Sequence, residues 1–179
     1  TKSVEPYVGV IHRLDKPVSG VMVYAKTKNA AAALSKQVAE GKMHKKYLAV
    51  LCGKPVDNVE KYVDYLLKDE KENTSRIVDM GIKGGKRAEL ICRVLESKTV
   101  EPYGELTLAE IELLTGRHHQ IRVQMADVGL PLYGDRKYNP ASKGSTLALC
   151  AFELTFRHPA TGKSMTFSCK PTGEIFGKF

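Results

Sequence analysis

The sequence predicts an α+β domain. Strand-like runs rich in β-branched and aromatic residues recur along the chain, few stretches carry helical spacing, and no internal repeat or low-complexity linker divides the 179 residues. A chain of this length buries one ordinary core, so a single domain over 1–179 is expected.

Taken in order, Val8 to His12 and Gly20 to Ala25 read as short strands joined by the turn-forming Lys16-Pro17-Val18-Ser19, which would set Asp15 at a strand end. Asn29 to Glu40 reads as a helix, with Ala30 to Leu34 and Val38 along it, Asn29 as its cap and Gly41 as its stop. His44 to Cys52 reads as a strand carrying Tyr47. Asp57 to Asn73, mixed in charge and without a clean period, reads as a strand followed by an exposed loop, and Arg87 to Leu95 as a further strand. Leu106 to Leu108 and Ile111 to Leu113 alternate but slip phase across Ala109-Glu110, which predicts a bulge; Leu147 to Leu149 and Phe152 to Phe156 show the same slip. After Gly116 the spacing becomes helical through Ile121, Met125 and Val128, closed by Gly129. On that helix His118 and Arg122, four apart, would share a face, leaving one side to be buried and another to offer cations.

Composition narrows the partners. Lys+Arg 28 against Asp+Glu 20 gives a formal charge of +8, which favours polyanions, nucleic acid first among them. Cys52, Cys92, Cys150 and Cys169 lie far apart in or beside apolar runs, so they read as free, buried thiols rather than metal ligands. No apolar run is long enough to span a bilayer and no secretory h-region opens the chain, which predicts a soluble, cytoplasmic protein.

Two segments carry the chemistry. Ile11-His12-Arg13-Leu14-Asp15-Lys16-Pro17-Val18-Ser19-Gly20 places one carboxylate among cationic, apolar and turn-forming neighbours. About a hundred residues on, Thr115-Gly116-Arg117-His118-His119-Gln120-Ile121-Arg122 supplies cations of the kind that keep a partly buried carboxylate ionised. Alone, Asp15 reads as a turn residue, Tyr47 as core and Arg122 as a solvated helix face; paired, the two segments suggest one site built from distant parts of the chain.

Together, HRLD-x-x-x-SG and TGR-x-HQIR resemble the RluA-type pseudouridine synthases. Lys45-Lys46-Tyr47-Leu48-Ala49, Gly85-Lys86-Arg87-Ala88, Tyr133-Gly134-Asp135-Arg136-Lys137-Tyr138 and Leu154-Thr155-Phe156-Arg157-His158-Pro159 follow the same family pattern in order. The resemblance implies a central, largely antiparallel sheet flanked by a few helices and crossed by a basic cleft. It also implies isomerisation of uridine to pseudouridine in structured RNA, with ribosomal RNA expected before transfer RNA; that reaction needs no redox step or group donor, so no cofactor is expected, and a monomer is the default. Asp15 matches the catalytic aspartate, Arg122 its ion-pair partner and Tyr47 the active-site tyrosine, while Arg13 sits where some relatives fill the space left by an extracted base. Lys45 and Lys46 abut Tyr47 and are expected to contact phosphate; Arg117, His119 and Gln120 complete the expected substrate-binding set.

Rival chemistry is weaker. HRLD has the wrong order for the kinase H-R-D-L loop, and Ser19, His12 and Asp15 lack a nucleophile-elbow context. His118 and His119 are rejected as metal ligands because adjacent residues of a helix point apart and no carboxylate or thiol lies at ligand spacing. A non-catalytic RNA-binding or RNA-chaperone domain is the alternative from another class. Relatives usually carry a strand or two before HRLD, whereas eleven residues precede His12, so an N-terminal truncation is expected. Val18, Leu90, Gln124 and Cys150 depart from the residues common in the family, which affects target choice rather than the catalytic groups.

Overall fold

The computed structural model describes residues 6–179. Its frame is a large sheet in which every pairing but one is antiparallel, matching the expected architecture. The strands are β1 (Gly9–Val10), β2 (Ser19–Gly20), β3 (Tyr24–Ala25), β4 (His44–Cys52), β5 (Val59–Asp69), β6 (Thr74–Val78), β7 (Lys86–Val100), β8 (Gly104–Leu113), β9 (Leu149–Arg157) and β10 (Ser164–Ser168). The order across the sheet is β10-β9-β4-β8-β7-β5-β6, with β2 running parallel to β9; β1 and β3 form a separate two-stranded ribbon.

Period-two alternation sorts the strands' side chains between two cores. Tyr47, Ala49 and Leu51 of β4 join Leu90 and Cys92 of β7 and Ala109 and Ile111 of β8 on one face, where helix α2 (Gln120–Asp127) packs through Ile121 and Met125. Val50 and Leu106 turn to the other face and meet Tyr133, Ala148 and Ile175. Helix α1 (Lys28–Ala39) covers the ribbon and the outer part of β9, burying Leu34 against Ala25, Leu154 and Phe156. Gln37 fastens it there, its amide donating to the Arg157 carbonyl at 2.8 Å and its carbonyl accepting from the Arg157 N–H at 2.7 Å. Among the described residues no helix is long and apolar enough to cross a membrane.

Several expectations change. The Gly20 to Ala25 strand divides: Ser19–Gly20 joins the large sheet and Tyr24–Ala25 the ribbon. Asp15 therefore sits in an irregular segment at the head of a turn, its carbonyl accepting from Val18 N at 2.8 Å, rather than at a strand end. Thr27, not Asn29, caps α1, its hydroxyl accepting from Ala30 N at 3.1 Å. The expected loop after Asp57 is mostly strand, because β5 runs to Asp69 and turns tightly into β6. β8 has no bulge; the extra residue lies opposite it, where Val94 pairs with Ala109 and Glu96 with Leu108, leaving Leu95 over. The slip expected before Phe156 falls in β9: Lys46 pairs with Glu153 and Leu48 with Cys150, so Tyr47 faces both Ala151 and Phe152.

That bulge meets the HRLD segment. Gly20 has φ +139, and a Cβ there would stand 2.3 Å from the Ala151 carbonyl oxygen and 2.7 Å from its nitrogen. Only glycine lets β2 approach this closely. Gly20→Ala is expected to destabilise the fold by about 1–3 kcal/mol through overpacking and to shift the Asp15 turn with it; an unchanged denaturant midpoint would contradict this reading of the β2–β9 approach.

Candidate active site

A cleft of about 920 Å³ lies where the HRLD segment, the end of β4 and the loop entering α2 converge. Asp15, Tyr47 and Arg122, distant in sequence, all line it. Arg13, Lys45 and Arg117 give it a basic wall, and Ile121 and Leu149 an apolar floor.

The loop into α2 is held by its own side chains. Thr115 Oγ1 accepts from Glu89 N at 2.8 Å and donates to Gln120 Oε1 at 2.8 Å; Gln120 Nε2 donates to the Glu89 carbonyl at 3.0 Å. Arg117 N also donates to Gln120 Oε1, at 2.9 Å. Gln120 is thus buried and ties the loop to β7, while it also lines the cleft. Arg117 anchors through Nε to the Arg87 carbonyl at 2.8 Å yet remains exposed on the cleft wall.

His119 caps α2 with φ +53, a left-handed conformation uncommon away from glycine. His118 consequently lies outside the helix and shares no face with Arg122. The two imidazoles do not point apart, as a helix would require, but stack at 3.7 Å between centroids and 27° between planes. The described residues contain no group of three His, Cys, Asp or Glu arranged to hold a metal. Burial, outweighing the pull of Asp15, lowers the His119 pKa to about 4, so the ring is neutral near pH 7.

Helix α2 is buried from Gln120 through Met125, so Arg122 is an interior residue rather than one on a solvated face. Its main partner is Asp135, a residue of the Tyr133-Gly134-Asp135 run to which sequence reasoning attached no role. Arg122 Nε and Nη2 each donate to an Asp135 carboxylate oxygen at 2.8 Å, while Nη1 stands 3.6 Å from Asp15 Oδ2. Burial opposes the Arg122 charge, but Asp135 and then Asp15 raise its pKa above the ordinary guanidinium value. For Asp135, too, burial favours the neutral acid, but the Arg122 hydrogen bonds prevail and its pKa is lowered. Lys137 N and Tyr138 N donate to Asp135 Oδ1 at 3.0 and 3.2 Å, and Gly134, at φ +75 with no room for a Cβ against the Thr146 carbonyl, makes the turn that aims it.

The electrostatic outcome is specific. Two carboxylates share one guanidinium, and the closer pair is Arg122–Asp135. A bidentate pair is the stronger arrangement; it goes to Asp135, and Asp15, half-buried at the cleft surface, keeps the longer 3.6 Å contact. Tyr47, 8% exposed, has its pKa raised to about 12, by burial first and then by Asp15, so its phenol stays protonated near neutral pH.

Lysine placement divides by strand parity. Lys45 shares the Tyr47 face and lines the cleft, where burial lowers its pKa and makes an anionic partner valuable. Lys46 points through the sheet to Glu110 at 3.7 Å and Glu153 at 3.6 Å, which corrects its assignment to the substrate. His12, rejected in the sequence as part of a Ser19-His12-Asp15 triad, is a strut at the cleft edge: Nε2 accepts from Val23 N at 3.2 Å, and burial and then Lys45 lower its pKa to about 4.

The chain resembles known proteins in sequence and in fold. A family model described as RNA pseudouridylate synthase matches residues 1–127. Ribosomal large subunit pseudouridine synthase D of Zymomonas mobilis is 33% identical over 172 residues, covering 90% of this chain and 52% of that protein. Ribosomal large subunit pseudouridine synthase C of Escherichia coli is 36% identical over 169 residues, covering 89% and 51%. The structure of Human RNA Pseudouridylate Synthase Domain Containing 1 matches with a TM-score of 0.78 at 25% identity, over 92% of this chain and 69% of that one. The chain spans about half the length of the curated relatives it matches.

Proposed function

Because the chain belongs to the RNA pseudouridylate synthase family, we propose that its cleft isomerises uridine to pseudouridine in structured RNA, ribosomal RNA before transfer RNA. The observation that carries this reading is Asp15, held at the cleft surface by an Arg122 whose stronger bonds go to Asp135. The Asp15 carboxylate attacks ribose C1′ as the bond to uracil N1 breaks, and N1 takes the electron pair. The base turns, C5 bonds to C1′ as the carboxylate leaves, the freed Asp15 carboxylate takes the C5 proton and passes it to solvent, and N1 gains a proton that solvent replaces. Tyr47 acts as a stacking plate and proton donor, since a phenol with a pKa near 12 is a poor source of phenolate. Arg13, exposed at the cleft mouth, enters the space left by the extracted nucleotide. The chain forms one catalytic domain, which works as a monomer in the cytoplasm without cofactor or metal.

The test is release of tritium from uracil C5 when the protein meets transcripts of large-subunit ribosomal RNA. Release is expected. Binding of ribosomal and transfer RNA without release from either would overturn the proposal in favour of a non-catalytic RNA-binding domain.

Strand parity sharpens a second expectation. Lys45→Glu should weaken RNA binding and reduce the log–log salt slope by about 0.7 for each single-strand phosphate that the protein ceases to neutralise. Lys46→Glu, on the far face between two carboxylates, should leave that slope unchanged. Equal effects in a salt titration would show that the cleft does not carry the phosphate contacts.

A further inference from the structure

Beside the Asp15–Arg122–Asp135 triad runs a hydrogen-bonded chain that the proposed chemistry does not use. Ser75 N on β6 donates to Tyr138 Oη at 2.8 Å, and Tyr138 Oη lies 2.7 Å from His119 Nδ1. On its other side His119 stands with Nε2 3.6 Å from Asp15 Oδ2. The direction of the middle bond follows from satisfaction of polar groups. With the Tyr138 oxygen already accepting from Ser75, its own proton has His119 Nδ1 as the available acceptor, whereas a proton on Nδ1 would leave the phenol hydrogen without a partner. The neutral ring must then carry its proton on Nε2, facing Asp15.

Ser75 also contacts the second histidine. Asn73 Oδ1 lies 3.1 Å from His118 Nε2 and accepts its proton; His118 Nδ1, 2.8 Å from Ser75 Oγ, is left to accept. Both stacked rings are thereby set to the same tautomer, His119 through Tyr138 and His118 through Asn73, with Ser75, 5% exposed, bonded into both chains. The groups facing His119 are Asp15 from the HRLD segment, Arg122 from α2, His118 in the stack, and Lys137 and Tyr138 from the loop after Asp135; burial and the cations together keep the ring uncharged.

We propose that His119 is a positioning residue, a neutral Nε2–H donor fixed by the Ser75–Tyr138 chain, which aims the Asp15 carboxylate at the sugar without neutralising it. A charged donor in its place would add a second cation to a carboxylate already beside Arg122. The 3.6 Å separation closes to hydrogen-bond length when substrate orders the cleft, as catalytic contacts commonly do. The proposal rests on the isomerase reading for its consequence, but its structural core stands apart from turnover.

The test has two arms. Nitrogen-15 NMR of the labelled histidine rings in the full chain, without RNA, should show His119 protonated on Nε2 alone from about pH 6 to 8, well above its lowered pKa, and Tyr138→Phe should yield a tautomer mixture. A ring protonated on Nδ1, or doubly protonated in that range, overturns the proposal even if the protein has no activity. In single-turnover tritium release at saturating ribosomal RNA transcript, His119→Leu should lose about a hundredfold, the order expected when a reacting group loses its aim. His119→Gln, whose amide N–H reaches the Nε2 position, should recover about tenfold of that loss. Equal losses in the two variants would overturn the proposal. Absence of release from the wild type as well would count against the isomerase reading, with the NMR result still deciding the tautomer.

Discussion

Asp15→Asn is expected to slow tritium release from uracil C5 at saturating RNA by at least about a thousandfold while RNA affinity stays close to that of the wild type. The substitution keeps the size and removes the charge, and the magnitude is of the order seen when a covalent nucleophile is removed. Affinity should hold because the basic wall of Arg13, Lys45 and Arg117 is untouched and one negative charge has left a cleft lined by cations. Single-turnover kinetics separate the two effects: the chemical step falls and binding does not. Retention of the wild-type rate would remove Asp15 from the chemistry.

Asp135→Asn should damage stability and chemistry together. Asp135 is 1% exposed and holds Arg122 through two bonds of 2.8 Å. Losing its charge leaves a buried guanidinium with Asp15 as its remaining carboxylate partner in the triad, a change expected to cost about 3 kcal/mol or more. In a domain of this size that lowers Tm by about 6–12 °C. Arg122 would also be free to close on Asp15, so the rate should fall by about a hundredfold at saturating RNA. The pH dependence has a definite sign. Because the folded Asp135 pKa lies below its ordinary value of 3.8, its stabilisation is fully present above that value and is lost as pH falls below it. The Tm gap between wild type and Asp135→Asn should therefore be wide near neutrality and close as the pH falls below 3.8; a gap that stays unchanged through that acid range would contradict the ion-pair account.

Sequence legibility followed the range of the interactions. β4 was readable because its apolar residues and Tyr47 alternate, and the same period implies that Lys45 faces the cleft and Lys46 does not, an implication that assigning both lysines to RNA overlooks. The slip read in β8 was no bulge: Leu106 and Leu108 face one core and Ala109 and Ile111 the other, so a strand apolar on both faces mimics a break in period, while the true extra residue is Leu95 of β7. The left-handed His119 was invisible, since nothing in an adjacent pair of histidines announces a break between them, and with it went the stacking and the true place of His118. The convergence of Asp15, Tyr47 and Arg122 was legible through paired motifs. Their electrostatic balance was not, because Asp135 reaches Arg122 through a turn that only the folded chain brings under α2.

The central claim is that this cleft makes pseudouridine with Asp15 as its reacting carboxylate. Mapping pseudouridine across ribosomal and transfer RNA from cells lacking the gene, complemented with either the wild type or Asp15→Asn, tests it most directly. The account predicts that one or a few sites vanish on deletion, return with the wild type and stay absent with Asp15→Asn. An unchanged map on deletion, or sites restored by Asp15→Asn, would contradict it.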